Sequence, residues 1–140
     1  MRLIVLTLVL ALAGCEGRSP AIKVSDAWAR ATAPGQSNAA VYVTIANRGG
    51  ADRLVGVSSD AGAAILHQSE NGGGVARMRM VSETPIPAGG RVMLAPGGTH
   101  IMLTGLGSPL AVGADFPVTF RFAKAGPRTV TVAVVGAGAR

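Results

Sequence analysis

The chain is expected to fold as an all-β domain, a compact antiparallel sandwich or barrel. Short segments rich in valine and threonine recur along it, often alternating apolar with polar residues, and turn sequences separate them. No segment sustains an apolar stripe of 3.6-residue period over three turns, so helices are not expected. Strands at this spacing, in a chain with 20 glycines, are the pattern of small sandwiches and barrels.

About nine short strands are readable in order. KVSDAWARA comes first, then NAAVYVTIANR, DRLVGVSSD and AAILHQS; GVARMRMVS, RVMLAPG and THIMLTGL follow, and FPVTFRFAK and PRTVTVAVVG close the series. PGQS, NRGG, SDAG, NGGG, PIPAGG and KAGP mark turns between them. In AAILHQS, a histidine late in a strand reads by itself as a surface or hydrogen-bonded residue. In GVARMRMVS, Arg77 and Arg79 take one face while Met78 and Met80 take the other, which by itself reads as ordinary core. Met93, in a half-buried RVMLAPG, is also expected in the core. THIMLTGL differs from all of these. Thr99, Ile101 and Leu103 share one face, which leaves His100 and Met102 together on the other, about 7 Å apart along the strand.

The amino terminus indicates export. Arg2 gives a short positive region, and Leu3 to Ala13 is almost unbroken apolar sequence, too short for the roughly 20 residues of a membrane span. Leu12-Ala13-Gly14-Cys15 resembles the lipobox of bacterial lipoproteins, in which the cysteine becomes the acylated first residue of the mature chain. The expected organisation is a signal peptide over 1–14, a lipidated terminus and tether over 15–22, and one β-domain over 23–140. The expected location is the periplasmic side of a bacterial membrane, held by the lipid on Cys15. Cys15 is the single cysteine, so no disulfide and no thiolate ligand is expected in the domain. The net charge of +6 comes from scattered arginines, without the basic run or interleaved aromatics of a nucleic-acid binder.

Both histidines, His67 and His100, and every methionine after the first fall between positions 67 and 102. Imidazole and thioether are neutral donors of intermediate and soft character, which suits Cu(I). Zinc sites usually include thiolate, carboxylate or three histidines, and the window holds two acids, Glu70 and Glu83, both near turns. A blue-copper centre requires a cysteine thiolate, which the domain lacks. No nucleophile and base arrangement suggests an enzyme.

The spacing is specific. Ten residues separate His67 from Met78, twenty-one separate Met78 from His100, and one separates His100 from Met102. This resembles the PCu(A)C family of extracytoplasmic copper chaperones, whose motif has those intervals. WARAT, VYVTIANRG, PIPAGG, PGGTHIMLTGL and FRFAKAG look alike as well, so the resemblance runs from about Val24 to Gly126. It implies a cupredoxin-like Greek-key β-sandwich and one Cu(I) per chain, bound by His67, Met78, His100 and Met102. It also implies delivery to the copper subunit of cytochrome c oxidase, or to another copper assembly factor, by a monomer. A lipoprotein that buffers copper or confers resistance, without a client, is the alternative. The sequence ends at Arg140 without the histidine- and methionine-rich tail that some relatives carry, so a second, Cu(II) site is not expected.

Overall fold

A computed structural model describes residues 17–140; Cys15 and the expected signal peptide lie outside the described residues. Ten strands are present, and no helix occurs among the described residues. They are β1 (Ile22–Arg30), β2 (Ala39–Asn47), β3 (Asp52–Ser58), β4 (Ala63–Gly72), β5 (Val75–Met80), β6 (Thr84–Ile86), β7 (Arg91–Leu94), β8 (Thr99–Thr104), β9 (Asp115–Phe122) and β10 (Gly126–Val135).

The strands follow one hydrogen-bonded path, β5-β4-β8-β2-β1-β10-β9-β3-β6, with β7 also paired to β2. All pairings are antiparallel except β1 with β10, which is parallel. The path folds over on itself. Val41, Val43 and Ile45 of β2 and Val118, Phe120 and Phe122 of β9 have two strands, β1 and β10, between them along the path, yet they share one core with Leu54, Ile101, Leu103 and Val132. Alternation along each strand produces this layer: in β2, Tyr42 and Thr44 point away from the core that Val41, Val43 and Ile45 fill. The expected sandwich is therefore present, with a parallel pair at its seam and one strand more than the sequence suggests.

That extra strand is β6, which overlaps the start of the stretch read as the PIPAGG turn. It pairs with the start of β3 because Ile86 is completely buried and must be carried into the core. β7 and β8 behave as one strand interrupted by the Ala95–Gly98 loop. Both run antiparallel to β2, β7 beside its second half and β8 beside its first.

Three methionine expectations are corrected. Met93 is 63% exposed, because Val92 and Leu94 take the inward positions of β7 opposite Ile45 and Val43. Met78 and Met80 are 62% and 65% exposed. β5 ends the path beyond β4, and all six of its residues are exposed on both faces.

Two buried polar side chains fasten the ends of the sandwich. Asn47 accepts from the amides of Ala21 and Gly49 and donates to the carbonyls of Gly50 and Pro87. Asp52, 4% exposed, accepts backbone N–H bonds from Arg53 (2.8 Å), Lys124 (2.9 Å) and Ala125 (2.9 Å). Burial alone would raise its pKa, but these three amides and the Lys124 charge outweigh it and hold the carboxyl below its ordinary value.

Candidate metal site

Two ladders assemble the site. β8 pairs with β4 so that His100 stands directly opposite His67, and β5 pairs with the other edge of β4 so that Met80 stands opposite His67. Directly opposed residues of an antiparallel pair point to the same face with Cβ atoms about 5 Å apart. Met80, His67 and His100 thus form one row across three strands, on the face turned away from Ile101 and Leu103. Tyr42 continues the row, its ring centroid 6.4 Å from that of His100, and Trp28 packs on Tyr42 at 4.6 Å.

The neighbouring rows hold the remaining expected residues. Met102 lies opposite Ile65 on one side of the histidine row, and Met78 lies opposite Ser69 on the other, toward the hairpin turn. His67, His100 and Met102 are therefore brought together directly, while Met78 sits one row farther out. Met93, opposite Thr44, shares this outer face, so both histidines and all four later methionines lie on one side of the sheet.

The two imidazoles are prepared in different ways. His100 is 4% exposed, and its Nδ1 lies 3.0 Å from the carbonyl oxygen of Gly98. A carbonyl only accepts, so in the neutral ring Nδ1 carries the proton and Nε2 presents its lone pair. The Ala95–Gly98 loop makes this possible by returning the Gly98 carbonyl beneath the ring. His67 is half-buried, and its Nδ1 is buried without any hydrogen-bond partner. An orphaned buried nitrogen costs about 1–3 kcal/mol unless something satisfies it, and a metal ion would do so. The rings lie 6.1 Å apart between centroids with 23° between their planes.

The donors gathered around the histidine pair are imidazoles and thioethers. Glu70 points to the opposite face of β4 and is held by Arg79, while Glu83 is paired with Arg53. Among the described residues no three His, Cys, Asp or Glu side chains gather as a zinc site would require. The arrangement suits a soft monovalent ion bound by imidazole and thioether. Nothing in the motif spacing marks Tyr42 and Trp28 as neighbours of the site. The outward phase of Tyr42 within VYVTI is the signal that could have placed it there.

Comparison with known proteins places the chain among lipoproteins and copper-binding domains. The LpqE-like lipoprotein family matches residues 22–134. "Putative lipoprotein Lxx21020" of Leifsonia xyli subsp. xyli is 35% identical over 144 residues, covering 93% of this chain and 86% of that protein. Among solved structures, the copper-bound PCuAC domain of PmoF2 superposes with a TM-score of 0.70 at 30% identity, covering 82% of this chain and 92% of that one. The apo PCuAC domain of PmoF1 gives 0.69 at 31%, covering 82% and 93%. The solution structure of CuI-DR1885 from Deinococcus radiodurans gives 0.65 at 28%, covering 90% and 85%. The fold and site define a cupredoxin-like β-domain. The chain belongs to the LpqE-like lipoprotein family and to the PCuAC copper chaperone family.

Proposed function

We propose that this protein is a lipid-anchored extracytoplasmic copper carrier that holds one Cu(I) through His67, Met78, His100 and Met102. It passes the ion to the copper centre of cytochrome c oxidase. The observation that carries the reading is the pairing of His67 with His100, one ring fixed by the Gly98 carbonyl and the other with an unsatisfied buried nitrogen. The copper reported in the PmoF2 domain and in CuI-DR1885 supports the same cargo.

The chain's own residues would act in distinct ways. His67 and His100 give the site rigidity, because both stand on paired strands at the sandwich surface. Met102 adds a thioether beside them, half-buried in β8. The methionines of β5 are exposed, so a partner's ligands can approach from that side and displace a thioether without opening the core. Neutral donors leave the ion's positive charge uncompensated, which favours handing it to a site with an anionic thiolate. Acylation of Cys15 would keep this exchange at the membrane surface.

Deleting the gene and growing cells with limiting copper tests delivery. Loss of oxidase copper and activity, restored by the wild-type chain but not by a His67→Ala, His100→Ala double variant, is expected. Unchanged oxidase loading with greater copper sensitivity would favour a buffering lipoprotein.

A further inference from the structure

We propose that the sandwich rests on anionic phospholipid headgroups through the end where β1 begins, using Arg18, Lys23, Arg48 and Arg91. This deepens the reading of Cys15 as a lipid anchor, on which its geometry rests, by giving the domain a membrane-binding surface of its own.

The approach to β1 is built into the domain rather than left as a free tether. The Ala21 amide donates to Asn47 Oδ1 at 3.1 Å, and the Ala21 carbonyl accepts from the Arg48 amide at 3.1 Å. The Ser19 carbonyl accepts from the Gly50 amide, also at 3.1 Å. Gly49 and Gly50 let the two segments cross this closely, since a Cβ on either would overlap backbone atoms between Arg18 and Ala21. An acyl chain on Cys15 is therefore at most four residue steps, about 14 Å, from the fixed Ser19. So short a leash keeps the crossing and the turn at Arg48 against the bilayer surface.

Cations surround that crossing. On β2, Ala46 faces away from the core, with Lys23 opposite it on β1 and Arg91 opposite it on β7. Lys23 and Arg91 are thus two strands apart, roughly 10 Å, and the small side chain between them leaves a depression. Arg48 completes a shallow cavity of about 290 Å³ there, which Ser25 and Thr44 also line and no acidic side chain does. Arg18 is exposed on the crossing segment itself. Among the described residues the ion pairs engage Arg53, Arg79 and Arg140, so none of these four cations has a carboxylate partner. The nearby Asp26 is already held by Arg140 at 2.6 Å. Clustered cations with hydroxyls beside them are matched by phosphate-bearing headgroups, and the reach of the anchor selects a bilayer as their source.

The same sheet face carries the metal site. Tyr42, in the row of His67 and His100, lies four residues before Ala46 on β2, about 13 Å along the strand. Docking through the cations therefore keeps the histidine pair close to the headgroups, within reach of a membrane-embedded recipient.

The mature chain carrying Cys15→Ser tests the surface without the acyl chain. At low salt it should sediment with vesicles of phosphatidylcholine containing about one third phosphatidylglycerol, and not with phosphatidylcholine alone. Lys23→Gln, Arg48→Gln and Arg91→Gln together should lower the partition coefficient about a hundredfold, at about fivefold per cation. Arg30→Gln, Arg77→Gln and Arg79→Gln together remove the same charge elsewhere and should lower it less than about tenfold. Thermal unfolding of both triple variants should match that of the parent, since all six positions are exposed. Equal losses in the two triple variants would mean that net charge alone drives binding, which overturns the proposal. Failure of the parent to bind anionic vesicles at low salt overturns it as well, and binding to polyglutamate in that case assigns the cations to an acidic protein surface. Fatty-acid labelling decides the anchor separately: a chain that is never acylated but binds anionic vesicles through these cations keeps the surface and loses the anchor.

Discussion

His67 and His100 stand directly opposite each other on β4 and β8, yet their nitrogens are treated unequally. Nδ1 of His100 has the Gly98 carbonyl at 3.0 Å, while Nδ1 of His67 is buried with no partner. Cross-strand pairing fixes both rings before any ion arrives, so little ordering remains to be done on binding. The methionines differ in this respect, since Met102 is half-buried while Met78 and Met80 are exposed. The site has a rigid side and an exchangeable side.

Met102→Leu tests the rigid side. Leucine keeps nearly the same apolar bulk and removes the sulfur, a swap that usually costs under about 1.5 kcal/mol in stability. Cu(I) affinity should fall by at least about tenfold, because a soft donor is lost. Thermal unfolding in the absence of copper should barely change. Full affinity retained in an anaerobic competition titration would remove Met102 from the ligand set.

The anchor can be tested without reference to copper. Cys15→Ser removes the thiol that an acyl-transfer enzyme would modify. Labelled fatty acid should appear on the wild type and be absent from the variant. Equal cleavage of both forms to a soluble protein would show that the signal is not of the lipoprotein kind.

Much of the fold is legible in the sequence because alternation is a local property. VYVTI declares which of its residues face inward, and THIMLTGL separates Ile101 and Leu103 from His100 and Met102; Val41, Val43, Ile45, Ile101 and Leu103 join the core while Tyr42, His100 and Met102 do not. β6 is not legible: only three residues pair, one is Pro85, and the strand exists because Ile86 enters a distant core. The exposure of Met78 and Met80 is likewise a matter of topology, since nothing within GVARMRMVS says that β5 lies at the end of the path. The phase of β7 is not legible locally, because Met93 competes with Val92 and Leu94 for the inward face. The opposition of Met80 to His67 is set outside the hairpin loop, where Val81 packs on the core and donates to the Leu66 carbonyl at 3.0 Å.

Gly50→Ala should be costly although the residue lies far from the site. The segment leading into β1 crosses the turn after β2, and a Cβ on Gly50 would overlap the carbonyl of Arg18. The same crossing supports the bonds that Asn47 makes to Ala21 and Gly50. Relief requires the Arg18–Ala21 segment to move, so stability should fall by about 1–3 kcal/mol, as for other overpacked sites. Urea unfolding monitored by Trp28 fluorescence would measure this. Cu(I) affinity should stay unchanged, because the site stands on β4, β5 and β8.

Asp52 should make stability depend on pH in the acid range. Its carboxylate accepts three backbone amides from Arg53, Lys124 and Ala125, and its folded pKa lies below the ordinary value. An unfolded aspartate titrates near pH 3.9, so the unfolded chain binds this proton first as pH falls. The contribution is therefore fully present above that value and is lost as pH drops through the lower folded value. Asp52→Asn keeps the size but leaves one acceptor oxygen and places an amide donor against the Ala125 or Lys124 N–H. At pH 7 the variant should be less stable by roughly 2–3 kcal/mol, the cost of hydrogen bonds to a buried charge. The gap should narrow steadily below about pH 4, because the wild type then loses what the variant never had. Parallel urea titrations of the two proteins at pH 7, 5, 4 and 3 isolate this group, since the two differ only at position 52. A difference that stayed constant down to pH 3 would mean that the Asp52 charge contributes nothing and that its hydrogen bonds matter only as geometry.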